Sequence, residues 1–219
     1  MEQASSLALP FLVGLTFFGA LGLLAVPGHR QGLVHGYARV VAGLSLALSA
    51  YIFLAYTQGP GGFRFDARYP WLAALGITFH LAVDGVTAPL VLLNGIVAFT
   101  GTLVSWNIRP RPKDFFVLFL LLVTGVYGVF TSLDLFFLFF FYELAVLPMY
   151  LLIGVWGSST DFQTFIRTKE YGAMKLVLYL VAGSVLVWVA LMAMWVQGLE
   201  SLGRPSFDLL DLESVPYSR

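Results

Sequence analysis

The 219-residue sequence is 59% hydrophobic and only 11% charged, with a mean hydropathy of +0.86. A soluble domain of this length would need far more charge to cover its surface, so a membrane protein is implied. Twelve basic residues balance twelve acidic ones, which gives no broad pull toward nucleic acid, and the lack of cysteine removes disulfides, iron–sulfur ligation and thiol chemistry.

Met1-Glu2-Gln3 lacks the basic region of a cleaved signal peptide, so the first apolar run is read as a retained helix. That run, segment one, extends from about Ala4 to Val26 and ends at Pro27-Gly28, followed by the basic turn His29-Arg30-Gln31. Segment two is roughly Gly36 to Tyr56, with Arg39 near enough to its end to snorkel. Thr57 to Asp84 is a connection rich in turn residues. Within it Phe63 and Phe65 flank Arg64, and Ile77, Phe79, Leu81 and Val83 alternate with Thr78, His80, Ala82 and Asp84. That period of two predicts a small β-hairpin at the membrane surface, with His80 and Asp84 as satisfied structural groups.

Asp84-Gly85 would cap segment three, which reaches about Trp106 before the basic loop Arg109-Pro110-Arg111-Pro112-Lys113. Segment four is Phe115 to about Leu133. Asp134 would cap segment five, Leu135 to Trp156, whose 22 residues extend about 33 Å and cross a bilayer. A polar loop, Ser158 to Glu170, leads to segment six, roughly Gly172 to Val196, with Lys175 near its start. The polar tail, 197–219, has no room for another span. The chain thus divides into helices one to three with their hairpin loop (1–114, loop about 57–84), helices four to six (115–196), and the tail.

The expected fold class is an all-α polytopic membrane protein of six transmembrane helices with one small hairpin between helices two and three. Connections one–two, three–four and five–six hold Arg30, Arg39, Arg109, Arg111, Lys113, Arg167 and Lys169, against Arg64, Arg68, Arg204 and Arg219 on the other side. The positive-inside rule then puts both termini on the outer face.

Glu143 stands near the middle of segment five, and Pro148 follows five residues later. A charged group at that depth costs at least about 2.5 kcal/mol on insertion scales, so it is a functional-site candidate. It reads as a structural acid bonded to a neighbouring helix, as a ligand for a small cation, or as a proton-transfer carboxylate tuned by desolvation and a nearby lysine. Pro148 favours the last, because its missing N–H frees the carbonyl of Leu144 and kinks the helix beside Glu143. Lys175 is either a snorkelling interfacial lysine or a proton-path partner of Glu143. No dinucleotide fingerprint, Walker lysine, zinc spacing or haem-type cysteine pair occurs, so the chain itself should bind neither NADH nor flavin.

The run FLFFFYELAVLPMYLLIGVWG, Phe137 to Gly157, resembles the fifth-helix motif of the antiporter-like M subunit of bacterial NADH:quinone oxidoreductase, respiratory complex I. GITFHLAVDGVTAPL, Gly76 to Leu90, resembles that family's hairpin and third helix, and AMKLVLYLVAGS, Ala173 to Ser184, its sixth helix. Tyr142 stands where the bacterial pattern often has Trp. The resemblance implies a proton-translocating membrane-arm subunit of the bacterial cytoplasmic membrane, with flavin, iron–sulfur clusters and quinone carried by partner subunits. It implies that Glu143 is the helix-five glutamate, paired with a lysine on a broken helix seven, and that Lys175 matches a helix-six lysine some relatives lack. Multisubunit cation/proton antiporters and membrane-bound hydrogenases share the glutamate, and a structural bundle without transport is the reading from another class. Family members have about fourteen helices and this sequence has six. The expectation is therefore that the chain is incomplete alone, with a second chain supplying the remaining helices or the sequence being a fragment. Neighbouring antiporter-like subunits and the lipid bilayer are the expected partners.

Overall fold

The computed structural model describes residues 6–28, 30–108, 110–162 and 165–217. Ala4, His29, Arg109 and Arg219, which entered the expectations above, lie outside them. In chain order the elements are α1 (Ala8–Ala25), α2 (Gln31–Thr57), β1 (Arg64–Leu72), β2 (Ile77–Val83), α3 (Thr87–Val104), α4 (Pro112–Thr131), α5 (Leu135–Trp156), β3 (Thr160–Phe162), β4 (Phe165–Arg167), α6 (Lys169–Leu202) and α7 (Leu209–Glu213). Six helices, α1 to α6, are long and apolar enough to cross a membrane. The six-helix polytopic fold with its small hairpin is the one the sequence implies.

Helix α4 is the hub, packed against α1, α2, α3 and α5. Small residues let the backbones approach. A Cβ at Gly125 would stand 2.8 Å from Ala145 Cβ, and one at Gly128 would collide with the Phe141 ring. At the other crossings a Cβ on Gly19 would stand 2.6 Å from Val41, one on Gly22 would strike the Tyr37 hydroxyl, and one on Gly95 would stand 3.1 Å from Ser49. Ser49 Oγ and Tyr127 Oη, 2.9 Å apart, tie α2 to α4 inside the bundle.

Strands β1 and β2 pair antiparallel from Arg64↔Val83 to Leu72↔Ile77, with irregularities between Arg64 and Ala67 and between Pro70 and Leu72. Pro70 is tolerated because a two-stranded sheet leaves β1 a free edge. The hairpin is the small one expected, with β1 largely exposed. Four consecutive β2 residues, His80 to Val83, are buried: β2 packs against α1, α4 and α5, and the chain beyond α6 reaches His80. Gly76 sits at φ +71°, and a Cβ there would overlap the backbone of Pro205. Only glycine fits that turn and that approach. Phe207 N–H donates to Gly76 O at 3.2 Å, Leu135 N–H to Phe207 O at 2.9 Å and Leu209 N–H to Leu133 O at 2.8 Å.

Three sequence boundaries move. Helix α6 spans 34 residues rather than Gly172 to Val196, starting at Thr168, whose side chain accepts from Tyr171 N–H. The segment after it, within the polar tail, carries α7 and buried Phe207, Asp208 and Leu212. The loop after α5 contains the short antiparallel pair β3–β4, which the sequence did not suggest.

Candidate functional site

Helix α5 begins where Asp134 Oδ1 accepts the N–H groups of Phe136 and Phe137, at 3.0 and 3.2 Å. Its second oxygen accepts from Thr78 N–H at 2.8 Å and Thr78 Oγ1 at 3.2 Å. Burial dominates and raises the Asp134 pKa despite these four bonds. Asp84 does similar work for α3: Oδ1 accepts from Thr87 N–H at 2.7 Å and Val86 N–H at 3.0 Å. The Thr87 bond leads in drawing its pKa down. Both carboxylates thus hold helix starts at the hairpin end.

Along α5 two faces separate. Phe141 and Ala145 press on Gly125 and Gly128 of α4. Glu143, two residues from each, is turned about 200° from both and so faces away from α4. Phe139 packs on Trp188 of α6, with ring centroids 5.0 Å apart, and a Cβ at Gly154 would stand 3.7 Å from Ala173 Cβ. Fifteen residues forward on α5 therefore correspond to fifteen back on α6. On that register Glu143 is level with Ser184, and four residues past Phe139 it lies on the same helix face.

Glu143 is partly buried, and its Oε1 has neither solvent contact nor a hydrogen-bond partner. Ser184, 5% exposed, donates its Oγ–H to Val181 O at 3.0 Å and keeps lone pairs free. Pro148 is buried inside α5, which runs through it to Trp156. The neighbour-bonded acid that one reading of the sequence allowed is therefore not found on Oε1.

Lys175 is not brought to Glu143. On the same register it is level with Leu152, nine residues along α5, or about 13 Å along the axis. It follows Ala173 by two residues and points to the far side of α6, where it is exposed, its Nζ 5.9 Å from the Tyr179 ring centroid. Among the described residues no ion pair within 4 Å includes either Glu143 or Lys175. Nor does any group of three or more His, Asp or Glu stand where it could hold a metal.

A second charged centre, at the hairpin end, escaped the sequence. His80 is 2% exposed and Asp208 fully buried, with Nδ1 and Oδ2 2.6 Å apart. His80 Nε2 lies 3.3 Å from Asp66 Oδ2. Both ring nitrogens face carboxylate oxygens, so both donate and the ring is an imidazolium. Burial opposes that charge, but the bonds to Asp208 and Asp66 outweigh it and raise the imidazole pKa. For Asp208 burial pushes upward, while His80, Leu210 N–H and Arg68 together pull its pKa down. Arg68 Nη2 lies 3.1 Å from Asp208 and 3.5 Å from Asp211, and Arg204 3.1 Å from Asp211. Three cations thus meet three carboxylates. His80 had shown itself only through the β2 alternation, and Asp208 gave no signal, since 128 residues separate the two.

Comparison with known proteins fits this geometry. Over 212 residues the chain is 35% identical to an NAD(P)H-quinone oxidoreductase chain 4 of Picosynechococcus sp., an alignment covering 95% of this chain and 36% of that one. The chain is thus similar to a part of that oxidoreductase chain 4. A chain 4 of Trichodesmium erythraeum is 32% identical across 94% of this sequence and 35% of its own. The chain thus spans little more than a third of the chain 4 relatives it matches. Among solved structures, a chain of respiratory complex I from Thermus thermophilus with bound NADH superposes with a TM-score of 0.75 at 27% identity, covering 96% of this chain and 40% of that one. A chain of the Mrp complex from Dietzia sp. shares the fold, with a TM-score of 0.61 at 20% identity over 92% of this chain and 20% of that one. No protein-family model matches.

Proposed function

We propose that this chain serves as part of a proton-translocating, antiporter-like membrane-arm subunit of an NAD(P)H- or NADH:quinone oxidoreductase, with Glu143 as its proton-transfer carboxylate. The observation that carries the reading is Glu143 Oε1, buried in mid-helix without a partner on the face turned toward α6. A carboxylate placed there for structure alone would be bonded, because an unpaired polar atom in a membrane interior is costly. One placed for proton transfer keeps a lone pair free to take up a proton and to release it when a cation draws near.

That cation is not Lys175, which lies on the wrong face and about two turns away. The lysine that tunes Glu143 is supplied from outside the described residues, by helices of a longer subunit or of a second chain. Flavin, iron–sulfur clusters and quinone belong to partner subunits, alongside neighbouring antiporter-like subunits in the bilayer. Arg30, Arg39, Arg111, Lys113 and Lys169 cluster opposite the hairpin. This distribution supports a cytoplasmic side there and both termini on the periplasmic side of a bacterial cytoplasmic membrane.

The test is Glu143→Gln in the assembled complex. We expect full assembly with proton pumping and coupled quinone reduction reduced by more than about tenfold, since removing a group that acts in transfer leaves no substitute carrier. Unchanged proton-to-electron stoichiometry would sink the assignment. The fold shared with the Mrp complex favours one second reading, a subunit of a cation/proton antiporter. Sodium-dependent exchange without quinone reduction would select it.

A further inference from the structure

We propose that the end of the bundle opposite the hairpin binds the phosphate of an anionic lipid headgroup, held by Arg39 with His35 and Trp106. Arg39 is half-buried rather than fully extended into water. Its guanidinium carbon lies 4.0 Å from the Trp106 ring centroid, and both Nε and Nη2 are buried without an acceptor. His35, one turn earlier and 7% exposed, donates Nδ1–H to Gln31 O at 2.6 Å, which leaves its Nε2 buried and unpartnered. Three unpaired nitrogens on two adjacent side chains make this the largest cluster of unsatisfied polar atoms among the described residues. Buried polar atoms of this kind are almost always matched, and a guanidinium more stringently than a neutral group.

The location selects the ligand. Gly22 lies beside Tyr37 and Gly19 beside Val41, which puts Arg39 about 7 Å inside the end of α1 at Ala25. Side chains on a helix lean toward its N-terminus. The N-terminus of α2 is at this end, so Arg39 extends toward the membrane surface. There Lys113 Nζ donates to Leu24 O at 2.6 Å and Trp156 Nε1 to Pro110 O at 2.7 Å, a basic and tryptophan-bearing rim of interfacial type. A cleft of about 290 Å³ opens beside His35 and the Trp106 ring on which Arg39 stacks, lined also by Gln31, Gly32, Asn107 and Ile108. Arg30 and Arg111 also belong to this end of the chain's course, as do the acids Asp114, Asp161 and Glu170. No carboxylate lies within 4 Å of Arg39 among the described residues.

A phosphodiester offers two oxygens to the planar guanidinium fork, a geometry lysine does not reproduce. With Nδ1–H bonded to Gln31 O, His35 Nε2 is an acceptor that a headgroup hydroxyl can meet. Basic pockets between helices on the cytoplasmic side are a recurring form of headgroup site.

The complex containing this chain should be purified in detergent, washed with phosphatidylcholine, and its retained phosphatidylglycerol counted by mass spectrometry. The wild type should keep roughly one more phosphatidylglycerol per chain than Arg39→Gln, and retitration with phosphatidylglycerol should show affinity at least about tenfold weaker in the variant. Arg39→Lys, which keeps the charge and is the safer variant for assembly, should fall between them. Equal retention in wild type and both variants would overturn the proposal. So would displacement of the lipid by millimolar inorganic phosphate, which would assign the site to free phosphate. Loss of a neighbouring subunit from Arg39→Gln with lipid counts unchanged would also overturn it, assigning the arginine to a partner's carboxylate.

Discussion

Two acidic centres of this molecule, around Asp208 and Glu143, are built on opposite plans. At the hairpin end Asp208 is completely enclosed, yet every neighbour answers its charge: an imidazolium at 2.6 Å, a guanidinium at 3.1 Å and the Leu210 N–H at 3.0 Å. In mid-bundle Glu143 is less enclosed, yet its inner oxygen has no partner. The first arrangement fixes one protonation state and one geometry. The second leaves both open. A group that must exchange protons cannot be held as tightly as Asp208, and a group that clamps two segments cannot be left as free as Glu143.

Function and stability should therefore separate between the centres. The largest effect is expected from Glu143→Gln on coupled pumping, as set out above, with the thermal midpoint of the complex shifted by no more than the change expected for about 1 kcal/mol, because no bond to Oε1 is lost. Asp208→Ala should behave in the reverse way. It strands a buried imidazolium and removes the anchor of residues 206–209, at a cost of about 3 kcal/mol. Amide exchange at Phe207 and Leu209 should rise sharply while the proton-to-electron ratio of surviving complexes stays intact. A large pumping defect in that variant would erase the contrast.

A smaller effect should come from crowding the face of α5 opposite Glu143. Gly128→Ala places a methyl group into the Phe141 ring and should cost about 1–3 kcal/mol as overpacking. Because Phe141 and Glu143 share one helix, the displaced α5 would also turn the carboxylate, so pumping should fall in step with stability. Thermal unfolding and pumping measured on the same preparations check this.

Much of this was legible in the sequence and some was not, for identifiable reasons. Asp134 and Gly157 bracket α5, so its span could be read to the residue. Hydropathy marks where a helix leaves the bilayer but not where it ends, and α6 continues beyond Val196 through Gln197 and Glu200 to a glycine at φ +66°. The alternation of β2 showed a hairpin. Its covering by the returning chain depends on contacts between His80 and Asp208 that no local pattern encodes. Likewise the motif around Glu143 singled out the residue, while the face it occupies follows only from Phe141 and Phe139 packing on opposite neighbours.

The hairpin-end cluster should also respond to pH. His80 is raised, so its contribution is fully present below about pH 6.5 and is lost as pH rises through its higher folded value. Asp208 is lowered, so its contribution is present above about pH 4 and is lost as pH falls through its folded value. Protection of the Phe207 and Leu209 amides should show a plateau between these limits, with an alkaline decline that His80→Gln abolishes. A decline unaltered in that variant would place the titration elsewhere.

The smallest effect is expected at Lys175, and it sharpens the comparison most because one reading of the sequence made this residue a proton-path partner of Glu143. It stands about 13 Å farther along the bundle, on the exposed side of α6, with only the Tyr179 ring near its ammonium. At that separation, through partly solvated surroundings, two unit charges interact by about 1 kcal/mol or less. Lys175→Gln should thus leave pumping within about twofold of wild type and stability within about 0.5 kcal/mol. The double variant Glu143→Gln/Lys175→Gln should match Glu143→Gln alone. A pumping loss in Lys175→Gln comparable to that of Glu143→Gln would show that the lysine acts in the route from its exposed face, through a neighbouring subunit rather than through α5.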